Sequence, residues 1–241
     1  MANFKKAMVM SAGLGTRMRP VTNHMPKPLV PFLGKPLIDW TMELLSEAGV
    51  EDFIVNTHYL ADMIHKHFEH DTRVTISHEE TILETGGGMK HARALLGEEA
   101  LFVANADVIL AGEALSSIQA LRAAWDEDKM DCLLLLVPKE NAFGHPGAGD
   151  YFLGEDGQLR RRLEEPEAPY IFSSFRIMRP SLLNDTPDGA FSLRDCFDKA
   201  QKNGRLFGIV HQDQWLDISS VSSLNEAEAE FGPRYRFGRL L

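Results

Sequence analysis

A chain of 241 residues is long enough to bury about three quarters of the surface that its unfolded form exposes, which is one full core. Hydrophobic residues make up 44% and charged residues 25%, a globular balance that excludes a disordered chain. With 35 acidic against 25 basic residues the net charge is −10, which disfavours nucleic acid and anionic membranes as partners, so an anionic ligand needs a local basic pocket.

Residues 6–10, Lys-Ala-Met-Val-Met, form a short apolar run that predicts the first strand of a buried parallel sheet. Residues 37–45 carry apolar side chains at helical spacing and stop at Gly49; residues 53–55 then read as a strand, completing a βαβ unit. The alternation continues with a helix over 61–68, a strand over 74–76, a helix from Met89 to Leu96 and a strand over 101–104 that runs on to Asp107. A helix over 113–126 and a buried strand over 131–137 follow. Such alternation predicts an α/β fold, a Rossmann-like, mostly parallel sheet with helices on both faces. After Pro138, glycines at 144, 147, 149, 154 and 157 punctuate short segments, which predicts a small antiparallel lobe that lids the site. A return strand over 170–177, a helix over 193–203 stopped by Gly204, and a helix over 221–231 capped by Ser219 or Ser220 complete the pass.

The expected organisation is one domain over 1–231, with a ligand-binding part over 1–137, the lobe over 138–217, and a loose tail or oligomer contact over 232–241, in a monomer or homodimer. Cys132 and Cys196 are the only cysteines and read as small buried thiols. There is no apolar leader before the first strand and no stretch of eighteen apolar residues, so a cytoplasmic, non-membrane protein is expected.

The most informative segment is Ser11 to Pro31. Gly13 and Gly15 allow the backbone to bend and expose successive N–H groups, and Arg17, Arg19 and Lys27 add cations with no acid between Met1 and Gly34. Lys27 lies between Pro26 and Pro28, whose fixed φ angles stiffen the backbone that presents the ammonium. Backbone donors with cations at the carboxyl end of a strand suit a polyphosphate. A dinucleotide fingerprint would require glycine or alanine at Met18 and seldom places arginine in the turn, and a Walker loop would end in Gly-Lys-Ser/Thr; neither is present. Asp107 follows an apolar strand and emerges at the same sheet edge, while Asp217 stands in the apolar stretch Trp215-Leu216-Asp217-Ile218, where an unpaired charge is costly and a cation is expected beside it. The glycines of Glu84-Thr85-Gly86-Gly87-Gly88 read either as a flexible loop or as a helix entrance that a flat ligand approaches closely.

Ala12-Gly13-Leu14-Gly15-Thr16-Arg17-Met18-Arg19-Pro20 with Pro26-Lys27-Pro28-Leu29 resembles the signature of the sugar-1-phosphate nucleotidyltransferases. The resemblance implies a GT-A-like fold. It also implies transfer of a nucleotidyl group from a nucleoside triphosphate to a sugar 1-phosphate, with Mg²⁺ as cofactor. It assigns catalysis to Arg17 and Lys27, and Mg²⁺ ligation to Asp107 and Asp217. Nucleotide binding falls to Ala12, Gly13, Gly15, Thr16 and Arg17 for the phosphates, and to Glu84, Thr85, Gly86 and Gly87 for base and ribose. Sugar binding falls to Asn105, Gly147, Asp150 and Glu164, although Glu164 in Leu163-Glu164-Glu165-Pro166 reads equally as a solvated acidic turn.

Three positions depart from the family pattern: Ala106 where glycine is common, Ser219-Ser220 where Gly-Thr or Gly-Asp is common, and Glu165 where lysine is common. Glu-Thr-Gly-Gly-Gly and His145-Pro146-Gly147-Ala148-Gly149-Asp150-Tyr151 are similar to segments of the N-acetylmuramate-1-phosphate uridylyltransferase branch. That branch implies UTP and N-acetylmuramic acid 1-phosphate as substrates, in cell-wall recycling. GTP with mannose or heptose 1-phosphate is the alternative, and a regulatory subunit that binds nucleotide sugar without turnover is the reading of another class. Little chain follows Phe231, so no fused β-helical acyltransferase is expected.

Overall fold

The computed structural model describes residues 4–236 and 239–240. In chain order the strands are β1 (Lys6–Met10), β2 (Asp52–Thr57), β3 (Val74–His78), β4 (Leu101–Asn105), β5 (Val108–Leu110) and β6 (Cys132–Pro138), then β7 (Tyr151–Leu153), β8 (Leu159–Arg161), β9 (Tyr170–Met178), β10 (Leu206–Val210) and β11 (Trp215–Asp217). The helices are α1 (Leu37–Glu47), α2 (Ala61–His67), α3 (Glu84–His91), α4 (Arg93–Leu96), α5 (Ala114–Ala124), α6 (Arg194–Lys202) and α7 (Val221–Phe231).

Strand β1 lies in the middle of the main sheet, parallel to β2 on one side and β4 on the other, with β3 parallel beyond β2. Its side chains alternate between two cores, as the two-residue period of a strand requires. Ala7 and Val9 pack with Ile38, Ile64 and Ile118 from α1, α2 and α5, whereas Met8 and Met10 pack with Met89 and Phe197 from α3 and α6. Helices therefore cover both faces, and the chain is an α/β sheet protein of mixed order.

The sheet departs from simple alternation at β9. This strand runs antiparallel between β4 and β6 and pairs with both, Arg176 lying opposite Val103 on one side and Leu134 on the other. Strand β6 is thereby separated from the parallel set, and β10, not foreseen from the sequence, extends the sheet parallel to β6. The antiparallel hairpin of β7 and β8 forms the expected lobe beside β9.

Helix α3 begins at Glu84 rather than near Met89. Glycine is a poor helix former, and tertiary contacts override that preference here. The amides of Gly86 and Gly87 both donate to the Phe191 carbonyl, at 2.8 and 3.2 Å. A Cβ on Gly86 would stand 2.3 Å from the Phe191 ring, and one on Gly87 would stand 2.2 Å from the Gly189 oxygen. The glycines let the helix approach segment 189–191.

A three-stranded sheet of β5, β11 and the short strand Ala142–Phe143 closes the other side of the molecule. Over it a third core gathers Met18, Phe32, Leu216, Leu224 and Phe231. Helix α7 starts at a capping box in which Ser220 accepts from the Ser223 amide, in agreement with the serine cap expected there. The tail is not loose where it is described: the Tyr235 ring stands 5.5 Å from Trp40, and Leu240 is buried in the third core with its carbonyl accepting from the Gly112 amide. No helix among the described residues is long and apolar enough to cross a membrane. Both cysteines are free and buried, as expected.

Candidate active site

The loop after β1 is fixed at both ends and open in the middle. The Ser11 amide donates to Asn56 Oδ1 at 2.7 Å, and its hydroxyl bonds the Asn56 carbonyl, tying the strand end to β2. Beyond the loop, Met18 is fully buried in the third core. Its amide donates to Gly15 O at 3.0 Å, and Thr22 Oγ1 donates to the same oxygen at 2.8 Å.

The two glycines differ in purpose. Gly15 has φ +60°, and a Cβ there would stand 3.0 Å from Lys27 Cβ, so the fold itself demands glycine. At Gly13 a Cβ would meet nothing within 4 Å and φ is not positive, so the protein leaves that space clear. Among the described residues no backbone carbonyl receives the amides of residues 12–16.

Lys27 stands in the short turn Lys27–Leu29 and is buried, with its Nζ 2.5 Å from Asp107 Oδ2. Asp107 occupies the two-residue step between β4 and β5, held there by the Ala106 amide donating to Met10 O at 3.1 Å. Strand β11 then brings the second acid to the same edge, because Asp217 pairs in register with Val108, the residue after Asp107. His145 Nδ1 lies 3.1 Å from Asp217 Oδ2. Burial pushes the Asp217 carboxyl up, but the His145 hydrogen bond and the charges of Lys27 and Arg17 outweigh it and leave the carboxyl below its ordinary value. The Asp217 hydrogen bond in turn holds His145 above its ordinary value despite burial.

Asp217, expected to need a cation, has His145 beside it, and Asp107 is paired with Lys27. Among the described residues no three acidic, histidine or cysteine side chains gather to hold an ion. Two carboxylates at one edge nevertheless fit a small hard cation that completes its shell with water and phosphate oxygens.

The loop, Lys27 and Asp107 face a cavity of about 300 Å³ at the carboxyl ends of β1 and β4. Its wall includes Ala12, Gly13, Gly15, Thr16 and Arg17 from the loop. Lys27, Asp107, Glu84 and Thr85 also line it. Thr85 and Asn105 are shared with a second cavity of about 540 Å³ under the lobe, where Asp150 and Glu164 stand. Four expected site residues line neither cavity. Asp217 is one: it stands on β11 beside Val108, with its carboxylate held by His145. Gly86 and Gly87 line neither cavity, since their amides and their missing side chains serve the contact with residues 189–191. Gly147 lines neither cavity: a Cβ there would stand 2.3 Å from His145 Nε2, so this glycine makes room for the imidazole that reaches Asp217. Glu165 pairs with Arg160, which accounts for an acid at that turn.

Residues 6–232 match the family model described as nucleotidyl transferase. The chain belongs to this family. It is 41% identical to the N-acetylmuramate alpha-1-phosphate uridylyltransferase of Caulobacter vibrioides, over 93% of this chain and 96% of that one. It is 30% identical to the protein of the same name from Neisseria meningitidis serogroup B, over 94% and 98% of the two chains. In fold it is similar to the inositol-1-phosphate CTP transferase of T. maritima, with a TM-score of 0.80 at 19% identity over 100% of this chain and 99% of that one. The chain is therefore a sugar-1-phosphate nucleotidyltransferase.

Several residues of this nucleotidyltransferase site escape sequence reasoning. Asn56 and the buried Glu79 line the first cavity and share a 2.7 Å hydrogen bond, while Glu79 also accepts from the Leu83 amide at 3.2 Å. Nothing in the sequence around either distinguishes it from an ordinary strand-end polar residue. His145 carries a signal, the histidine opening His-x-Gly-x-Gly-Asp, but its partner is 72 positions away. Arg176 carries one too, as a lone cation inside the apolar strand β9.

Proposed function

We propose that the enzyme transfers the uridylyl group of UTP to N-acetylmuramic acid 1-phosphate, with Mg²⁺ as cofactor, giving UDP-N-acetylmuramate and pyrophosphate. The observation that carries the reading is the convergence on one cavity of the loop, the Arg17 and Lys27 cations and Asp107, with Asp217 in register beside the residue that follows Asp107. The choice of uridine and of the muramyl sugar is supported by the 41% identity to the Caulobacter protein over nearly the whole of both chains.

An already ionised phosphate oxygen of the sugar 1-phosphate attacks the α-phosphorus; the bond from that phosphorus to the oxygen bridging the β-phosphate breaks, and pyrophosphate leaves. No protein base is needed. Arg17 and the amides of residues 13–16 bind the β- and γ-phosphates, in the space that Gly13 leaves clear. Lys27 neutralises charge developing on the equatorial oxygens, and its burial keeps that ammonium in place. Asp107 and Asp217 would hold Mg²⁺, which when bound supplies Lewis-acid polarisation and charge neutralisation between the nucleotide and the sugar phosphate. His145, supported by Gly147, orients Asp217.

Pyrophosphate release, measured with UTP or GTP against N-acetylmuramic acid 1-phosphate or mannose 1-phosphate, tests the reading. The highest kcat/KM is expected for UTP with the muramyl sugar. A higher value for GTP with mannose 1-phosphate overturns the substrate assignment, and no magnesium-dependent pyrophosphate with any pair overturns the reaction.

A further inference from the structure

The second cavity has a charge that the transfer reaction does not use. Four arginines line it, at 161, 162, 176 and 194, against two acids, Asp150 and Glu164. Arg161 is compensated by Asp198 at 3.1 Å. Arg162 spends its Nε and Nη1 on the carbonyls of Gly149 and Glu165, and Asp150 Oδ2 accepts from the Phe172 amide.

Arg176 is the anomaly. It is 2% exposed, has no acid beside it among the described residues, and lies alongside the rings of Phe172 and Phe197, 5.6 and 5.8 Å from their centroids. Its one hydrogen bond runs from Nη1 to Ser174 O at 2.9 Å, and its Nε has no partner. Burial draws the guanidinium down to about 10, so it stays charged at neutral pH. An unpaired buried cation is destabilising, and a fold retains one where something else repays it.

The strand around it is shaped for this side chain. The pairing of β9 with β6 shifts register between Phe172 and Arg176, and Ser174 within the shift has φ +76°. A bulge of this kind re-aims side chains at a sheet edge or binding site. Thr85 and Asn105 line both cavities, so a sugar whose phosphate sits at Asp107 would extend its ring substituents toward the cavity that Arg176 lines.

We infer that Arg176 is a specificity residue that binds a carboxylate borne by the sugar, so that the acceptor class is an acidic sugar 1-phosphate. This rests on the reaction proposed above. N-acetylmuramate differs from N-acetylglucosamine by a lactyl ether ending in such a carboxylate. A guanidinium donates two N–H bonds to such a carboxylate and finds there the counter-charge that the described residues do not provide.

The test compares kcat/KM for N-acetylmuramic acid 1-phosphate and for its lactyl methyl ester, with UTP, in the wild type and in Arg176→Met. The wild type is expected to prefer the acid at least about tenfold, mostly through KM, since a site built for an ionic partner rejects the analogue that lacks it. In Arg176→Met that preference falls toward unity while the melting temperature holds or rises, because an unpaired buried charge has been replaced by an apolar chain of similar length. Arg176→Lys retains part of the preference.

Equal wild-type rates for acid and ester overturn the inference and leave the proposed reaction standing; this comparison needs no variant. A loss in Arg176→Met that is equal for both substrates and accompanied by a lower melting temperature also overturns it, in favour of a structural role. A strong preference for glucuronic acid 1-phosphate over glucose 1-phosphate, with no turnover of the muramyl substrate, keeps the carboxylate site and removes N-acetylmuramate as the acceptor.

Discussion

Replacing Lys27 by methionine tests the catalytic arrangement most directly, because it removes a charge while keeping the length of the side chain. Lys27 Nζ is 2.5 Å from Asp107 Oδ2, an attraction of about 6–7 kcal/mol at an effective dielectric of about 20. The desolvation of both groups offsets most of it, and the Asp107 side chain is 31% exposed, so water can solvate the orphaned carboxylate. The stability loss should stay well below the ~3–5 kcal/mol that follows when a fully buried pair is broken. Turnover should suffer more: removing one preorganised charge from a transition state costs about 2.7–4 kcal/mol, or roughly 10²–10³ in kcat. A second effect has the opposite sign. Without the ammonium, Asp107 and Asp217 face each other with less compensation, so the free enzyme should bind Mn²⁺ more tightly than the wild type does. Steady-state rates at saturating UTP and sugar phosphate, with calorimetric Mn²⁺ titration of the nucleotide-free protein, measure both. An unchanged kcat, or an effect confined to KM, would refute the role given to Lys27; weaker Mn²⁺ binding would refute the electrostatic account of the acid pair.

Gly13→Ala should leave the melting temperature unchanged, since a Cβ meets nothing there, yet raise KM for the triphosphate by about tenfold or more. Gly86→Ala should do the reverse: its Cβ would overlap the Phe191 ring, and overpacking of this kind costs about 1–3 kcal/mol, read as a lower urea midpoint. Asp217→Asn should raise the Mg²⁺ concentration at half-maximal rate by at least about tenfold; an unchanged Mg²⁺ dependence would remove Asp217 from the ligand set. His211 is buried, bonded to Ser117 Oγ at 2.8 Å, and held below its ordinary value mainly by burial. The unfolded chain takes up a proton near pH 6.5 that folded His211 refuses. Its stabilising contribution is thus fully present above that pH and declines as pH falls toward the depressed folded value, by up to about 1.4 kcal/mol per pH unit. Urea unfolding at pH 7.5, 6.5 and 5.5 should show a shallower decline in His211→Gln than in the wild type; parallel declines would assign the acid sensitivity to other groups.

The residues most legible in the sequence are those whose chemistry is unusual for their position. An arginine pair after a glycine turn, a lysine between two prolines, and an aspartate closing an apolar strand each conflict with the demands of a plain fold, and Arg17, Lys27 and Asp107 meet at the first cavity. The alternation of β1, α1 and β2 was equally plain, because these elements are local and carry their own periodicity. Strand β9 illustrates what was not. Its apolar run reveals a strand, but nothing in it says that the neighbours will be β4 and β6, since pairing across a sheet is decided by whichever edges the connections leave open.

Glycine is ambiguous for a related reason, since a missing side chain leaves the same letter whether it makes room for a ligand or for the protein. Gly13 faces open space, Gly86 and Gly87 face residues 189–191, and Gly147 faces an imidazole. The family resemblance assigns all four to ligands, and only at Gly13 does the surrounding geometry leave the space for one. Pairings across long stretches of chain are hidden in the same way: Lys27 and Asp107 are 80 positions apart, His145 and Asp217 72. For Asp217 the acid's apolar setting implied a cation, so the need was readable although the partner was not. Arg176 inverts that logic. It is a buried cation with no acid beside it among the described residues, and the same physical requirement that predicted a partner for Asp217 underlies the proposal that the substrate supplies one.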